Sequence, residues 1–477
     1  MNTTAQGGST EGLNILKCRD DRAPVLFRRT GAGPGPDCFQ LIEGTAASWV
    51  GQGETFGVDK LRTRIEPWLT ALFQSEHLSL VVGSGLSHAV HRMATSDILP
   101  GMSGVSWTEY AAEIQKEAKR SALAAGREDG NIEDQIRVAS ELLRGLEIVA
   151  STKDKNDPVA KRVGNLHTEL ERVLNAFAAS ILKGEADLKA AGIETRERAF
   201  NYLVSFLMSF ASRTGTRDRL QLFTTNYDRF IEAGADAAGL RLIDRFVGQL
   251  APIFRSSRLD VDMHYNPPGM RGDPRYLEGV ARFTKLHGSV DWIDCDKNIH
   301  RIGIPFGAET IGPYLTDTGL PSVKATQLMI YPNSSKDRET ASYPYVELFR
   351  DLAAAACRPN STLICFGYSF GDEHINRVIE DMLTIPSAHL VIISTNDPLG
   401  RIMKTYERIG RRAQITLLVG EQLGNFEVLV DHYLPKPAID RTTFRMAELL
   451  KARGWGPGHG DDKGGGEQAK DNGGSAS

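Results

Sequence analysis

The sequence predicts an α/β fold: a parallel sheet with flanking helices and an inserted helical domain. Three features carry that expectation. Residues 345–419 alternate helix-like and strand-like segments, as a parallel sheet with crossover helices requires. Residues 78–82 have the length and β-branching of a buried parallel strand, and a small-residue turn, Gly83-Ser84-Gly85-Leu86-Ser87, follows at once. Residues 108–213 carry helical spacing with no strand between, which places them outside the sheet as an insertion or an added layer.

Length and composition set bounds. A chain of 477 residues, 41% hydrophobic and 24% charged, has room for two or three structural units. A net charge of −4 excludes a strongly basic nucleic-acid-binding protein. No direct nucleic-acid binding is expected, although a local basic groove stays open. Cys18, Cys38, Cys295, Cys357 and Cys365 are odd in number and scattered, with no CxxC pair. They suit neither a disulfide framework nor a tetrahedral zinc site, and Cys365 reads as a small buried residue. No apolar stretch approaches the roughly 20 residues that span a bilayer. The richest, residues 202–210, reads as a buried helix. With a polar start and no signal-peptide core, the expectation is a cytoplasmic, reduced protein without a membrane contact.

In chain order, residues 1–75 read as an N-terminal extension. GAGPGP at 31–36 reads as a plain loop, since prolines flank it and no clear strand precedes it. Leu61, Ile65, Trp68, Leu69 and Leu72 recur at helical spacing before the first strand. The sheet domain takes residues 76–107 and 214–420, and the helical insertion takes 108–213, with a polar break at 151–157. Strands are expected at 220–224, 283–286, 328–331, 362–366, 390–394 and 415–419. Helices are expected at 233–237, 345–355, 372–383 and 398–409. Residues 421–453 read as closing helices. Residues 454–477, glycine-rich and charged, read as a disordered tail.

The chemistry sits at strand ends. Gly83 and Gly85 let the backbone approach a ligand, and Ser84 and Ser87 open a helix whose first N–H groups face negative charge. A tight turn with no ligand is an equal reading of this stretch alone. Asn226 offers a donor and an acceptor, suited to a ribose hydroxyl, a carboxamide or a water. Thr225 precedes it. Asp228 could accept from a ligand or cap the next helix, and on this motif alone capping comes first. His287 follows a strand beside Gly288 and titrates near neutrality, as a general base must. A lone histidine is more often structural, but this one belongs to a wider set. Gly367 and Ser369, in Phe366-Gly367-Tyr368-Ser369-Phe370-Gly371-Asp372, form a second phosphate or ribose cradle. Asn396 could contact a ribose or adenine. Ordinary loop chemistry is the plainer account of these last two.

In order and spacing, these motifs resemble the sirtuin (silent information regulator) family over about 78–420. Gly83-Ser84-Gly85-Leu86-Ser87 matches its Gly-Ala-Gly-Ile-Ser loop, with Ser84 for alanine. Thr225-Asn226-Tyr227-Asp228 matches its Gln-Asn-Ile-Asp, and His287-Gly288 its catalytic His-Gly. Gly367-Tyr368-Ser369 matches its Gly-Thr-Ser, and Asn396 its adenosine-side asparagine. Protein-deacylating sirtuins carry a four-cysteine zinc module between the last two glycine motifs. Here that interval holds only Cys295 and Cys357. The Asn-Tyr-Asp form, Trp292 after the His-Gly, and the Phe366–Asp372 run resemble the bacterial sirtuin-like branch of antiphage defence.

The resemblance implies a Rossmann-like sheet with NAD+ as substrate and no metal required. It implies Asn226 and His287 as catalytic residues. It implies Gly83, Ser84, Gly85, Ser87, Thr225, Asp228, Gly367, Ser369 and Asn396 as NAD+-binding residues. The activity implied is an NAD+ glycohydrolase that releases nicotinamide and ADP-ribose and depletes NAD+ in antiphage defence. Control would come from homo-oligomerisation or from a partner, a HerA-like ATPase ahead of an Argonaute-like protein. An NAD-dependent protein deacylase and a non-catalytic NAD or ADP-ribose sensor are the alternatives.

Overall fold

The computed structural model describes residues 12–30, 38–99, 102–124, 127–154, 156–213, 218–257, 261–265, 275–316, 327–329, 343–437 and 449. Four short strands come first: β1 (Leu13–Lys17), β2 (Val25–Arg29), β3 (Phe39–Leu41) and β4 (Thr55–Phe56). Helix α1 (Val58–Phe73), β5 (His77–Val82) and α2 (Ser84–Thr95) follow. Four helices run without an intervening strand: α3 (Ala111–Ala124), α4 (Ile132–Ala150), α5 (Pro158–Ala190) and α6 (Ile193–Ala211). Next are β6 (Leu220–Thr224), α7 (Phe230–Ala238) and β7 (Arg241–Ile243). Short strands β8 (Phe246–Val247), β9 (Ile253–Phe254), β10 (His264–Tyr265) and β11 (Arg275–Tyr276) lead to β12 (Val280–Lys285). Strands β13 (Trp292–Cys295) and β14 (Asn298–Arg301) precede α8 (Gly312–Thr316) and α9 (Tyr345–Ala356). The alternation then resumes with β15 (Ser361–Phe366), α10 (Glu373–Leu383), β16 (His389–Ser394), α11 (Arg401–Ile409) and β17 (Ile415–Val419). Residues to Pro435 form one unit and those from Lys436 another.

The main sheet has the order β4-β3-β2-β1-β17-β16-β15-β5-β6-β12-β7. From β17 to β7 every neighbour is parallel, and β1 to β4 extend it antiparallel. The parallel strands are apolar on both faces because both faces are covered. Leu80, Val82, Ile364, Phe366, Val391 and Ile393 enter the core with α1, α2, α6 and α7. Their neighbours Val81, Leu363, Cys365, Leu390 and Ile392 enter the opposite core with α9, α10 and α11. A third core joins α3, α4 and α5 to β13 and to Ile302 and Ile304, which follow β14. This is a mixed α/β protein with a large, mostly parallel central sheet flanked by helices, as the sequence predicts.

Register positions the site. Lys285, Thr224, Val82, Phe366, Ile393 and Leu418 lie in one row across six strands. The residues after them leave the sheet at one edge. The chain runs from β5 to β6 and β12 on one side, and through β15, β16 and β17 on the other. The direction therefore reverses between β5 and β15, the crevice where open α/β sheets bind ligands.

Some elements differ from the sequence reading. The first seventy residues contribute four strands, with β1 pairing to β17 across the whole chain (Leu16 opposite Leu418). Helix α6 packs on the sheet core, while α3 to α5 build the separate one. Of residues 328–331, Leu328 makes an isolated bridge to Ile293, and 330–331 lie outside the described residues. The readings on 31–36 and 454–477 lie wholly outside them too. All five cysteines carry free thiols, and Cys365 is fully buried. Among the described residues no helix is long and apolar enough to cross a membrane.

Candidate active site

Two strand-end turns cross backbone to backbone. Gly83 N–H donates to the Phe366 carbonyl (2.9 Å) and Gly85 N–H to that of Gly367 (3.1 Å). A Cβ on Gly85 would lie 2.6 Å from Gly367 Cα. Gly367 has φ +60°, and a Cβ there would lie 2.7 Å from Gly85 Cα. The glycines are thus demanded by the crossing itself, before any ligand is considered. Above the crossing, the hydroxyls of Ser84 and Ser369 have no hydrogen-bond partner among the described residues. Helix α2 begins at Ser84 with no side-chain cap. The Gly85 and Leu86 N–H groups of its first turn are taken by the Gly367 and Gly83 carbonyls, and the positive end of the helix dipole lies at the crossing.

Asn226 caps nothing. Its side chain is 7% exposed and reaches back to the crossing. Its Nδ2 donates to the Gly83 carbonyl (3.0 Å) and to Ser87 Oγ (2.9 Å). Ser87 Oγ in turn donates to Asp228 Oδ2 (2.7 Å). Asp228, one position before the N-cap Arg229, accepts through Oδ1 from the N–H of Phe230 (3.2 Å), the first residue of α7. Both amide hydrogens of Asn226 are spent on the protein, which leaves Oδ1 to meet a ligand. Lys285 fixes the loop from below. Its Nζ donates to the Asp228 carbonyl (2.5 Å) and to Glu232 Oε1 (2.9 Å). Thr225 N–H is held by the Val82 carbonyl (3.2 Å).

His287 sits two residues beyond β12, 29% exposed at its side chain. Its Nε2 lies 2.8 Å from Asp372 Oδ2. Asp372 is itself fixed: Oδ1 caps α10 by accepting from His374 N–H (2.8 Å) and Ile375 N–H (3.3 Å). Gly288 beside it has φ +88°, and a Cβ there would strike the Met329 carbonyl. Asp372 ends the Phe366–Asp372 run, but sequence gives no hint that it meets His287, 85 residues away.

Two cavities flank the crossing. The first, about 350 Å³, is lined by Gly83, Ser84, Ser87, Thr225, Asn226, Asp228, His287, Gly367 and Ser369. The second, about 1000 Å³, is lined by Gly85 and Asn396 and shares Ser84, Gly367 and Ser369 with the first. All eleven residues singled out from the sequence thus gather at two connected walls. Sequence reasoning missed the opposite wall of the first cavity, where the insertion contributes Arg127, Asn131, Glu133, Phe177 and Ile181. It also missed His88, four residues after Ser84 on α2, which lines both cavities. Burial pushes the His88 pKa down, opposed by the Asp228 charge. Arg401 lines the first cavity with Arg127, and burial, then the Arg127 charge, lower its pKa.

The insertion is locked to the Asn226 loop. The Arg229 and Glu185 side chains form an ion pair at 2.5 Å, with Glu185 fully buried. Tyr227 OH donates to Glu133 Oε1 (2.7 Å). Among the described residues no group of His, Cys, Asp and Glu could hold a metal ion.

Residues 221–414 match a SIR2-like domain. The SIR2-like domain spans β6 to the turn before β17, and so includes Asn226, His287, Gly367 and Asn396. It supports placement in the sirtuin-like superfamily, whose members are generally NAD-dependent enzymes. The glycine turn at 83–87 and the insertion precede the matched SIR2-like span. No curated protein matches the chain.

Proposed function

We propose that the chain is an NAD+ glycohydrolase that releases nicotinamide and ADP-ribose. The observation that carries this reading is the convergence of Asn226 Oδ1 and the His287–Asp372 pair in one cavity, across the glycine crossing from the cavity of Asn396. A dinucleotide suits that division. Its adenosine takes the larger cavity, and its pyrophosphate lies over Ser84, Ser369 and the start of α2. The nicotinamide ribose then meets Asn226 and His287.

The chemistry needs few groups. In NAD+ the nicotinamide ring nitrogen is cationic. Its bond to ribose C1′ breaks with both electrons moving to that nitrogen, so no general acid is required. Water adds to the oxocarbenium-like carbon, Asn226 Oδ1 orients it, and His287 takes its proton. A carboxylate only accepts hydrogen bonds, so Asp372 keeps the imidazole proton on Nε2 and leaves the lone pair on Nδ1.

The resemblance supports a role in bacterial antiphage defence by NAD+ depletion, in the cytoplasm. It supports control by homo-oligomerisation or by a HerA-like ATPase ahead of an Argonaute-like protein. A protein deacylase is the second reading, and the interval holding only Cys295 and Cys357 counts against it. The test is NAD+ loss by purified protein, with and without the ATPase, beside Asn226→Ala and His287→Ala. Nicotinamide release without an acylated peptide, abolished in both variants, supports the hydrolase. Turnover only with an acyl-lysine peptide replaces it with the deacylase. Binding without turnover under every condition leaves the NAD sensor.

A further inference from the structure

We infer that Glu133, carried into the first cavity by the helical insertion, is a substrate-facing carboxylate that binds the distal ribose and stabilises its developing positive charge. The inference rests on the glycohydrolase reading for its chemistry and on three observations for its geometry. First, Glu133 lines the same cavity as Asn226 and His287. Second, one oxygen is anchored: Tyr227 OH donates to Oε1 at 2.7 Å. Tyr227 is buried between Asn226 and Asp228, and its carbonyl accepts from Val290 N–H (3.1 Å). Its ring packs edge-on against Phe177 at 5.9 Å and lies 6.4 Å from the His287 ring. The position of Glu133 is therefore coupled to both proposed catalytic residues. Third, Oε2 accepts from no described residue, and no lysine or arginine pairs with this carboxylate among them. The nearby cation Arg127 is engaged instead by Asp134 at 2.7 Å.

The local sequence explains why a carboxylate is stable there. Asn131 caps α4 in a reciprocal box with Asp134, so Glu133 falls in the first turn. The positive end of the helix favours negative charge at that position. A carboxylate is acceptor-only, and the nicotinamide ribose presents two hydroxyl donors and gains positive charge as its bond to nicotinamide breaks. Charge and hydrogen bonding match at one residue. Glu133 then acts on the ribose, while His287 handles the proton.

The test separates this role from a packing link between α4 and the Asn226 loop. Glu133→Gln keeps an acceptor for Tyr227 and the side-chain shape but removes the charge. Nicotinamide release should fall about 100-fold in kcat, with KM within about threefold and the melting temperature unchanged. Binding gives a second readout. Glu133→Ala should weaken ADP-ribose about tenfold and leave AMP, which lacks the distal ribose, unchanged. If wild type hydrolyses NAD+ and both variants match it in kcat and in ADP-ribose affinity, the role of Glu133 is overturned and the hydrolase stands. If wild type never turns NAD+ over, the hydrolase reading fails. The ADP-ribose and AMP titrations then decide Glu133 alone, a selective loss supporting ribose contact and no loss refuting it.

Discussion

On one side of the first cavity, Gly83 and Gly85 meet Phe366 and Gly367 through backbone bonds of 2.9 and 3.1 Å. On the other side, α4 and α5 reach the Asn226 loop through side chains, Tyr227 to Glu133 and Arg229 to Glu185. The first wall follows from sheet register and leaves no room for a Cβ. The second is a helical layer with a core of its own, tied to the Asn226 loop by side chains, so its lining can change while the crossing stays intact. A shared chemistry at the strand ends can thus be combined with a variable wall that selects or positions the ligand.

The sharpest way to break that contrast is Gly367→Val. At φ +60° a β-branched residue is strained, and its Cβ would meet Gly85 Cα at 2.7 Å. A loss of about 4 kcal/mol or more is expected in urea unfolding. A loss below about 1 kcal/mol would show that the crossing gives way and that the backbone wall is not rigid.

The insertion wall is tested next by Glu185→Ala. It leaves the Arg229 guanidinium buried without its counter-charge, which costs about 3–5 kcal/mol. An unchanged unfolding midpoint would remove this pair as the anchor of α5.

Lys285→Met probes the join between the walls. Without the bond from Nζ to the Asp228 carbonyl, the Asn226 loop loses its side-chain tie to the strand leading to His287 and keeps only backbone bonds such as Val290 N–H to the Tyr227 carbonyl. Under the proposed chemistry, kcat should fall about 100-fold through misplacement while KM changes little. Lys285→Arg should recover part of it. Equal kcat in wild type and Lys285→Met would mean that the loop is positioned without this lysine.

The smallest effect is a pH slope. Burial pushes the Glu232 carboxyl up to about 7, against the pull of Lys285. The unfolded chain loses that proton near 4.5, so between 4.5 and 7 only the folded state holds it, and stability falls as pH rises. His389 acts oppositely. Burial first, then Lys17, push it down to about 4 from 6.5. As pH drops from 6.5 towards 4 the unfolded chain takes up a proton that the folded one refuses, and stability falls. The two slopes offset each other over their shared range. In Glu232→Gln the acid-side loss from His389 should stand out, and wild type should gain on the variant as pH falls from 7 to 4.5. A constant difference in melting temperature between the two across that range would assign the pH response elsewhere.

The parallel strands were legible because burial on both faces leaves a mark in adjacent residues. Leu78 to Val82 and Leu363 to Phe366 are short apolar runs, and each ends at a small-residue turn. The strand-end polar residues could be read for the same reason, since strand and turn are neighbours in sequence. Strands β1 to β4 were not legible. They are two to five residues long, and what makes β1 a strand is its partner β17, with Leu16 opposite Leu418. Short segments carry too little period to announce themselves, and their pairing is decided by segments distant in the same chain.

Sequence by itself therefore determined the sheet class and the row of strand-end groups, because backbone propensity and hydrophobic burial act between near neighbours. Tertiary structure alone decided what those groups do to one another. Asp228 takes the first N–H of α7 while Asn226 reaches Gly83. Asp372 holds His287, and Glu133 arrives from an insertion some ninety residues before the tyrosine that anchors it. Such pairings depend on register and packing summed over the whole chain, so no local pattern records them.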